Sequence, residues 1–549
     1  MLKVIPLGGL GEIGLNMMVV EYDRHIIVID AGLMFPEDYM PGVDMVIPDL
    51  QYLKENSDKV EAVILTHGHE DHIGAMPFLI KEINVPVYGT NFTIELLKSK
   101  FTEYDFEETP ELNKVNPGDL TEIGVFKIEY IRVNHSIIDG VGLAIETPEG
   151  ILIHSGDFKI DHTPVDGCHT DVSRFGSYGE KNILALFSDS TNVEKEGYTL
   201  SESEVKETLE LIFKHTSGRL IIAVFSSNIA RIGQIISMAE QFGRKIAVSG
   251  KSMKTNISIA VKEGLVSIPD DIEINEKAIK HYADNEIVII TTGSQGEPMS
   301  SLTRMARGNH KDIEVKPGDT IILSSRFIPG NEKAITSIIN SLYRRGARVV
   351  YEKVSDIHSS GHAYREELKL MINLVKPDYF IPVHGEYRHL KKHIELARST
   401  GIPAENTVLA EDGDTICFKD GDAWLGEKVH SGRILVDGKG VGDVGDIVLR
   451  DRRKLSGDGV VIALLVVDEQ TGEIIYGPDI LSRGFVFEDV SGIILDEARE
   501  QVMEVLSTVE NFEHIDWPDI APDIKRKLKR YFYKVIERSP LIMPIIIPV

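Results

Sequence analysis

Cysteine is nearly absent from this chain of 549 residues, which has two. Cys168 and Cys417 form no CxxC pair, which argues against a disulfide framework or a thiolate zinc site. Long apolar runs are missing too. The N-terminus MLKVIPLGG shows no signal-peptide pattern, and the tail LIMPIIIPV is far shorter than the roughly 20 residues that span a bilayer. We therefore expect a cytoplasmic protein with no membrane partner, whose tail is a buried strand.

Positive charge is scarce as well. The 59 lysines and arginines face 86 acids, so the net charge is −27 and the pI about 5.1. Taken alone, this balance argues against a nucleic-acid partner, because binding phosphates requires positive surface. A nucleic-acid enzyme of this composition needs positive potential confined to a cleft. The basic runs RDRRK (Arg450 to Lys454) and KRKLKR (Lys525 to Arg530) are compatible with a solvated helix face or with such a contact.

The sequence pattern changes along the chain, and 61.1 kDa is too large for one small domain. Short β-branched runs up to about residue 192 predict two sheets flanked by helices. A capping-box sequence, Ser201 with Glu204, then opens alternating strands and helices typical of a parallel α/β unit. We predict one domain from 1–200 and 351–430, an inserted domain at 201–350, a linker at 431–447 and a small C-terminal α+β domain at 448–549.

The strongest chemical signal is the stretch THGHEDHIGA, which follows the apolar run VEAVIL. It places His67, His69, Asp71 and His72 within six residues, and Gly68 allows a tight turn. Imidazoles together with a carboxylate are ligands that suit zinc or manganese. A solvated polar loop is the alternative interpretation, but this density of ligands favours a metal site.

A site with two metals needs further ligands, and the sequence offers them where apolar strands end. His135 follows FKIEYIRVN, Asp157 follows GILIHSG, His384 follows YFIPV, and Asp30 ends HIIVID. Each of these residues alone is most often an ordinary polar strand end. Four of them beside a histidine cluster favour a dinuclear site.

Two glycine-rich stretches imitate phosphate-binding motifs. GGLGEIG contains the Gly9, Gly11, Gly14 spacing of a dinucleotide fingerprint, but LNMMVVEYDRHIIVID after it predicts a strand hairpin instead of a helix. GRKIAVSGKS has too long a spacing for a phosphate-binding GxxxxGKS loop. We therefore expect no nucleotide cofactor.

The stretch THGHEDHIG, together with Asp30, His135, Asp157 and His384, resembles the metallo-β-lactamase superfamily and its HxHxDH motif. The resemblance implies an α/β protein with an αββα sandwich and two divalent ions, Zn²⁺ by preference, with Mn²⁺ or Mg²⁺ as alternatives. It assigns His67, His69 and His135 to one metal, Asp71, His72 and His384 to the other, Asp157 to a bridge between them and Asp30 to orienting the ligands.

A long insertion separates two of these ligands, since 226 residues, 158–383, lie between Asp157 and His384. An inserted domain would form a cleft over the metals, as a polymeric substrate requires. Its loops FSSNIAR, TGSQGEP and SSRFIPGNE offer small donors to phosphate oxygens, or ordinary turn capping. In IHSSGHAYREEL, His358 and His362 flank a turn that we expect to open a helix, a favourable site for an anion.

SDST (Ser188 to Thr191), SGHA and PVHGE resemble motifs A, B and C of the β-CASP nucleases, in which a histidine at motif C, here His384, goes with RNA substrates. From GGLGEIGLNM to the tail, the chain resembles the bacterial ribonuclease J family. That resemblance implies a ribonuclease of RNA maturation and decay, with 5′-to-3′ exonuclease and endonuclease activity and a preference for 5′-monophosphate ends. Ala230 departs from the family pattern, where we expect a histidine, so an RNA contact there is in doubt.

The family pattern also implies residue roles and an assembly. Asp71, Asp189 and His362 are the expected catalytic residues. The C-terminal domain is expected to form homodimers or homotetramers, although SGIILDEAREQVM also suits an ordinary core helix. The expected substrate pocket for the 5′ phosphate consists of Ser226, Ser227, Asn228, His358, Ser359, Ser360, Gly361 and His362.

Three alternatives compete with a ribonuclease. A DNA nuclease of the same superfamily is the nearest, and His384 disfavours it. A metallo-hydrolase of small esters, thioesters or lactones would share the histidine cluster but not the long insertion or the SGHA element. A catalytically silent RNA-binding scaffold would be expected to lack metal ligands, and none is missing from the sequence.

Overall fold

The structure is a computed structural model of the chain. It describes residues 1–37, 39–104, 106, 109–297, 299–325, 331–351, 357–468, 471, 473–485, 488–508 and 517–549. The last residue of the TGSQGEP loop and residues 326–330 of the SSRFIPGNE loop lie outside them. Within these ranges, no helix is both long and apolar enough to cross a membrane.

Two β-sheets, of eight and six strands, form the part of the chain that carries the histidine cluster. In order across the sheet, the strands of the first are Asp422–Leu425, Ile416–Lys419, Leu2–Gly8, Met17–Tyr22, His25–Ile29, Val60–Ile64, Val87–Thr90 and Leu112–Val115. Those of the second are Tyr379–Val383, Ile183–Asp189, Gly150–His154, Val141–Thr147, Phe126–Arg132 and Leu120–Ile123.

A shared hydrophobic core joins these two sheets face to face. Ile27 and Ile64 of the first sheet belong to the same buried cluster as Tyr130 and Leu143 of the second. Because successive strand residues point to opposite faces, Ile153 packs instead in a second cluster with the helices outside. The predicted αββα sandwich is confirmed. The helices of this part are Gln51–Glu55, Glu70–Ile73, Met76–Glu82, Asn91–Glu103, Val172–Tyr178, Arg365–Val375 and Tyr387–Ser399.

The inserted segment forms a third sheet, whose six strands all run parallel. Ile221 and Ile222 point into different hydrophobic clusters, one on each face of the sheet, so helices cover both faces. The predicted inserted α/β fold is confirmed. Across the sheet the strands are Glu273–Ile274, Lys245–Ser249, Ile287–Thr291, Leu220–Ala223, Thr320–Leu323 and Arg348–Val350. Its helices are Glu202–His215, Ile229–Gln241, Lys251–Lys262, Ser301–Arg307 and Glu332–Arg344.

The chain divides into two compact units, 1–34 with 47–433, and 35–46 with 434–549. The second unit contains a sheet of three strands, with Val460–Val467 between Ile474–Arg483 and Leu541–Pro548. Val461 and Leu465 of the central strand are fully buried with residues of the long helices, as an α+β domain requires. The helices of this unit are Asp446–Asp458, Glu488–Ser507 and Trp517–Ile536.

The apolar tail differs from its prediction in one respect. It forms the expected strand, parallel to Val460–Val467, and Ile542 is buried at 3% exposure. Met543, Ile545 and Ile547, however, are 37–45% exposed. The prediction of a buried strand is therefore wrong for alternate residues.

Short strands also occur where we predicted a linker. Arg433–Asp437 pairs with Gly440–Val441 in an antiparallel hairpin. The predicted domain boundaries stay predictions.

Candidate metal centre

The histidine cluster lies where the strand Val60–Ile64 of the first sheet ends. The chain continues through a short loop into the helix Glu70–Ile73, for which His69 is the N-cap residue. Asp71 and His72 therefore lie in the first turn of this helix, and His67 and His69 precede it. Local backbone geometry thus brings four potential ligands together within six residues.

Three imidazoles form a first group of ligands. The Nε2 atoms of His67 and His135 each lie 3.1 Å from Nδ1 of His69. His135 donates its Nδ1–H to the carbonyl oxygen of Gly361 at 2.7 Å, so its Nε2 lone pair is available to a metal. Burial, with the neighbouring imidazoles, holds the pKa of His67 and of His135 well below the ordinary value, and burial lowers the pKa of His69 to about 4. All three rings are therefore in the neutral form that binds metal.

Asp71, His72, Asp157 and His384 form a second group, with one donor atom of each within 4.8 Å of the others. Nε2 of His72 lies 3.2 Å from Asp157 Oδ2, and Nε2 of His384 lies 3.4 Å from Asp71 Oδ2. Burial lowers the pKa of both rings, but their carboxylate neighbours outweigh it. They raise the pKa of His72 well above its ordinary value and that of His384 to about 10.

Asp157 lies between the two groups. Its Oδ2 atom is 3.8 Å from Nε2 of His67 and from Nε2 of His135, while Oδ1 is 3.7 Å from Nδ1 of His384. The carboxylate is buried, yet the imidazoles around it keep its pKa well below the ordinary value. This is the placement expected of a ligand shared by two metals.

Asp30 sits behind the second group, in contact with its ligands. Its Oδ2 accepts a hydrogen bond from Nδ1 of His72 at 2.7 Å, which leaves Nε2 of that ring to face Asp157. Thr66 donates to the same carboxylate through its backbone N–H at 2.8 Å and its hydroxyl at 2.7 Å. The geometry suits the orienting role that the sequence resemblance implies.

Asp189 and His362 form an ion pair beside the ligands, with Nδ1 of His362 2.8 Å from Asp189 Oδ2. Thr191 orients Asp189 by donating from its backbone N–H and its hydroxyl. Burial opposes the charge on both groups, but the pairing lowers the pKa of Asp189 and raises that of His362. The pairing therefore favours the protonated form of the ring, next to the candidate metal ligands.

The loop 357–362, called the His362 loop below, is held by side chains from the metal-binding domain. The hydroxyl of Ser359 accepts from Nζ of Lys159 at 2.9 Å, and that of Ser360 accepts from Nδ2 of Asn192 at 2.7 Å. A Cβ on Gly361 would lie 2.7 Å from Cε1 of His135, so this position requires glycine. The loop is thereby fixed against the first group of ligands.

The helix that we expected at this turn begins later. Arg365–Val375 is the helix, with Tyr364 as its N-cap. The carboxylate of Glu367 accepts the backbone N–H of Tyr364 and of Ile160, so a side chain already occupies this helix N-terminus. The prediction that the Ser-Ser-Gly turn opens a helix is wrong, and anion binding there depends on side chains and loop amides.

The FSSNIAR loop contributes one contact to the centre. The hydroxyl of Ser227 lies 3.1 Å from Nε2 of His69. Ser226 is half-buried, and Asn228 is buried as the N-cap of the helix Ile229–Gln241, where its side chain accepts from the N–H of Arg231 at 3.0 Å. Of the predicted phosphate-binding residues in this loop, the structure brings Ser227 to the ligands and gives Asn228 a structural contact.

A buried network of four charged residues lies under both loops. The guanidinium of Arg231, fully buried, bonds Glu202 Oε2 at 2.5 Å and the carbonyl of Ile357 at 2.8 Å. Lys159 lies 3.5 Å from Glu202 Oε1 and 3.1 Å from Asp161 Oδ2. Sequence reasoning did not predict this network.

Asn16 is a second residue that sequence reasoning missed. Its Nδ2 donates to the carbonyl oxygen of Asp71 at 3.0 Å and lies 3.2 Å from Nε2 of His72. It directly follows GGLGEIGL, the stretch dismissed as a nucleotide motif, and the strand Met17–Tyr22 after it confirms that no helix is present there. A polar residue between a glycine-rich turn and an apolar strand was the available signal.

Four family models match separate segments of the chain. These are the metallo-β-lactamase superfamily at 10–172, the ribonuclease J β-CASP domain at 217–342, the Zn-dependent metallo-hydrolase RNA specificity domain at 346–407, and the ribonuclease J C-terminal domain at 447–549. Their order follows the fold described above.

Similar proteins cover nearly the whole chain. Ribonuclease J2 of Bacillus subtilis is 42% identical over 547 residues, covering 100% of this chain and 98% of its own length. Ribonuclease J 1 of Streptococcus pyogenes is 41% identical, with 99% and 97% covered. Ribonuclease J of Helicobacter pylori is 42% identical, with 98% and 79% covered.

A solved structure shares the fold at low sequence identity. The crystal structure of a protein of unknown function from Enterococcus faecalis aligns with a TM-score of 0.55 at 17% identity, covering 76% of this chain and 99% of that one. The geometry of the histidine and aspartate groups and the full-length relatives agree. The chain belongs to the ribonuclease J family, metal-dependent ribonucleases of the metallo-β-lactamase superfamily.

Proposed function

We propose that this protein hydrolyses RNA both from 5′-monophosphate ends, in the 5′-to-3′ direction, and internally, in RNA maturation and decay. The observation that carries the proposal is the pair of ligand groups that share Asp157 and lie against the His362 loop. A hydrolase of small esters would not need that loop or the inserted domain that helps to hold it.

The donor set fits two divalent cations. His67, His69 and His135 would hold one, Asp71, His72 and His384 the other, with Asp157 shared. Nitrogen-rich ligands of this kind favour Zn²⁺ or Mn²⁺ over Mg²⁺. When bound, the cations supply Lewis-acid charge that lowers the pKa of the attacking water and stabilises the phosphorane-like transition state.

Residues of the chain do the remaining work. Nδ1–H of His362 is held by Asp189, which leaves Nε2–H to donate to an oxygen of the scissile phosphate. Because Asp189 raises the pKa of this ring and so favours its protonated form, it can stabilise charge on that oxygen or supply a proton to the leaving oxygen. Asp71 would act instead as a metal ligand, in the group with His72 and His384.

The 5′-phosphate pocket is proposed between the FSSNIAR loop and the His362 loop. Ser226, Ser227 and His358 line it with polar groups. Ser359, Ser360 and Asn228 support it from below, because their side chains are bonded to Lys159, Asn192 and Arg231. Gly361 and His362 complete the residues expected there.

Product analysis on RNAs labelled at one end tests the function. With Mn²⁺ or Zn²⁺, 5′-monophosphorylated RNA should be degraded to mononucleotides much faster than 5′-triphosphorylated RNA or DNA of the same sequence. Equal rates on DNA would refute the assignment to RNA. An Asp71→Ala/His72→Ala double variant, purified in parallel, should be inactive, which excludes a contaminating nuclease and tests the requirement for the second ligand group.

We also propose that the protein forms homodimers or homotetramers through its C-terminal unit. One face of the three-stranded sheet there is apolar and open, with Met543, Ile545 and Ile547 beside half-buried residues of the strand Val460–Val467. Contiguous apolar surface on a folded domain marks a protein interface. A second copy of the same sheet could pack against it face to face.

A further inference from the structure

The helix Trp517–Ile536 concentrates positive charge in an acidic protein. Between Lys525 and Lys534, six of ten residues are lysine or arginine and none is acidic. The whole chain carries 86 acids and 59 basic residues, so this segment reverses the general balance. A reversal of this size on one helix attracts a polyanion locally.

Packing fixes the direction in which this charge points. Ile524, Leu528 and Phe532 follow one another at intervals of four residues and are completely buried in the core of the C-terminal unit. The opposite side of the helix therefore faces solvent. We define the basic face as the exposed residues Lys525, Arg526, Lys529, Arg530 and Lys534.

Acidic neighbours leave most of this charge unneutralised. The adjacent helix Glu488–Ser507 packs against the basic helix and carries exposed acids, but the cross-helix ion pair found among the described residues is Lys527 with Glu504, at 2.8 Å. Arg526 pairs with Asp523 on its own helix. Within the described part of the chain, Lys525, Lys529 and Arg530 have no acidic group within ion-pair distance. These cations remain available to a ligand.

An aromatic ring accompanies the cations. Tyr533 is 63% exposed, four residues after Lys529 and three after Arg530, so it lies on the same side of the helix. Exposed aromatic rings among cations are the usual platform for unpaired nucleic-acid bases. A membrane surface fits less well, because the apolar side of this helix is buried in the protein core and cannot insert into lipid.

We propose that the basic face is a second RNA-binding surface, which holds the phosphate backbone of the substrate independently of sequence and outside the metal centre. The proposal rests on the proposed function, since its ligand is the RNA substrate. Rigid placement of the cations along about 14 Å of helix suits consecutive phosphates of a single strand. Tyr533 would stack on a base between them.

The test compares long and short RNA with the metal-loaded, full-length protein. The variant Lys525→Gln/Lys529→Gln/Arg530→Gln should raise KM roughly tenfold or more for RNA of about 20 nucleotides, a length greater than one binding domain covers. The slope of log(kcat/KM) against log[salt] should become shallower by about 2, since each lost phosphate contact on a single strand changes it by about 0.7. Cleavage of a 5′-monophosphorylated trinucleotide should stay unchanged.

Two sets of variants serve as controls. Lys206→Gln/Lys214→Gln/Lys280→Gln removes the same charge from exposed positions of the inserted domain and should leave the slope for long RNA unchanged. Single Lys529→Gln and Arg530→Gln variants should each shift the slope by about 0.7, which tests the surface even where the triple variant alters folding or assembly. Tyr533→Ala should raise KM for long RNA without changing the slope.

A long-RNA KM and salt slope equal to wild type in the triple variant would overturn the proposal. The proposal would also be overturned if the wild-type protein bound anionic lipid vesicles and the triple variant did not, while their RNA kinetics were the same. The partner of the basic face would then be a membrane. Failure of the proposed function has a different signature, in which the wild-type protein cleaves neither RNA. The two failures are therefore distinguishable.

Discussion

Protonation distinguishes the two groups of metal ligands at the scale of single residues. His67, His69 and His135 are buried among other imidazoles, and their pKa values are lowered, that of His69 to about 4. His72 and His384 face carboxylates, which raise their pKa values, that of His384 to about 10. A metal must therefore displace protons from the second group, whereas the first is already deprotonated at neutral pH.

We predict that the two metals bind with different pH dependence. On protein stripped with a chelator, the first class of Zn²⁺ or Mn²⁺ sites should bind with constant affinity from about pH 6 to 8. The second should strengthen roughly tenfold per pH unit for each proton released. Calorimetric titration in buffers with different ionisation heats measures the released protons directly.

Single-ligand variants identify the two classes. His384→Ala should abolish the proton-releasing class, and His135→Ala the class without proton release. Equal proton release at both sites would contradict the assignment of protonation states.

A carboxyl group outside the metal centre is also perturbed by burial. Asp412 accepts the backbone N–H of Leu10 at 3.0 Å. Burial, and next the nearby carboxylate of Glu12, raise the pKa of Asp412 to about 8. The folded pKa thus lies above the unfolded value of about 3.9. Its stabilising contribution is fully present below that unfolded value and is lost as the pH rises through about 8.

We predict that Asp412→Asn changes the pH dependence of stability. The amide cannot ionise, so the melting temperature of the variant should rise relative to wild type as the pH increases from about 5 to 8. One proton alters the free energy of unfolding by at most about 1.4 kcal/mol per pH unit, and partial solvent access of this side chain reduces that figure. Melting curves that stay parallel across this range would contradict the raised pKa.

At the scale of elements, the buried charges tie the inserted domain to the metal-binding domain. Glu202 is the first residue of the helix Glu202–His215, which packs with the inserted sheet. Its carboxylate accepts hydrogen bonds from Arg231 of the FSSNIAR segment and from Lys159 of the metal-binding domain. Since Arg231 also bonds the carbonyl of Ile357, the network sets the position of the His362 loop.

We predict that breaking this network costs stability and rate together. Arg231→Met leaves a buried carboxylate short of a partner, and such losses cost about 3–5 kcal/mol of unfolding free energy. Removing both charges, in Arg231→Met/Glu202→Met, should cost less than the sum of the single variants, because neither partner remains unpaired. Denaturant unfolding measures these energies.

The network also makes a kinetic prediction. At a temperature where the Arg231→Lys variant remains folded, it should lower kcat for 5′-monophosphorylated RNA more than it changes the affinity for metal. Lysine retains the charge, but its donors share one nitrogen and cannot reproduce the planar fork with which arginine bonds Ser324, Ile357 and Glu202. Additive energies in Arg231→Met/Glu202→Met would show that the two side chains are not coupled. An unchanged kcat in Arg231→Lys would show that the network does not position the loop.

The sequence made some parts of these elements predictable and not others. The candidate ligands His67 to His72 were predictable because they are contiguous in the chain, and His135, Asp157 and His384 because each follows an apolar strand. The late start of the helix Arg365–Val375 was not predictable, because its N-terminus is capped by Glu367, which also bonds residues distant in sequence. Local propensity does not contain such tertiary contacts.

Long-range polar contacts explain the other omissions. Asn16 and Arg231 acquire their partners only when segments 55 and 126 residues apart fold together. Composition alone suggested phosphate binding for the small donors of the FSSNIAR loop and assigned no partner to its arginine. The fold places Arg231 in the interior, where the buried carboxylate of Glu202 must pair with a cation.

At the scale of the whole molecule, the exposed basic residues and the exposed apolar residues of the C-terminal unit lie on different elements, the first on a helix and the second on a sheet. The acidic composition lowers attraction to RNA in general, while the basic face and the metal centre offer local sites for it. The C-terminal unit combines that basic face with an open apolar sheet face, and its two surfaces predict two different partners. Substrate binding and assembly can therefore be disrupted independently.

The open face explains why an apolar tail stays on the protein surface. Ile545 pairs in register with Leu464 of the central strand, and Met543 with Ile462, so their side chains form a continuous apolar strip on one side of the sheet. Covering this strip with the same strip of a second copy would remove all of these side chains from water at once. Because these side chains are already more than half buried, covering each one gains less than the roughly 1.5–3 kcal/mol of a fully exposed side chain. Several must therefore be covered together to offset the cost of association.

We predict that Ile545→Asp disrupts the oligomer and leaves the metal centre intact. A charge in the middle of the strip would be desolvated in the dimer without a partner, which costs more than the interface gains there. Light scattering should show a lower molar mass for the variant, with unchanged kcat on a trinucleotide. Ile545→Val, which keeps the strip apolar, should retain the wild-type mass. A monomeric wild-type protein, or an Ile545→Asp variant of unchanged mass, would refute assembly through this face while leaving the ribonuclease proposal untouched.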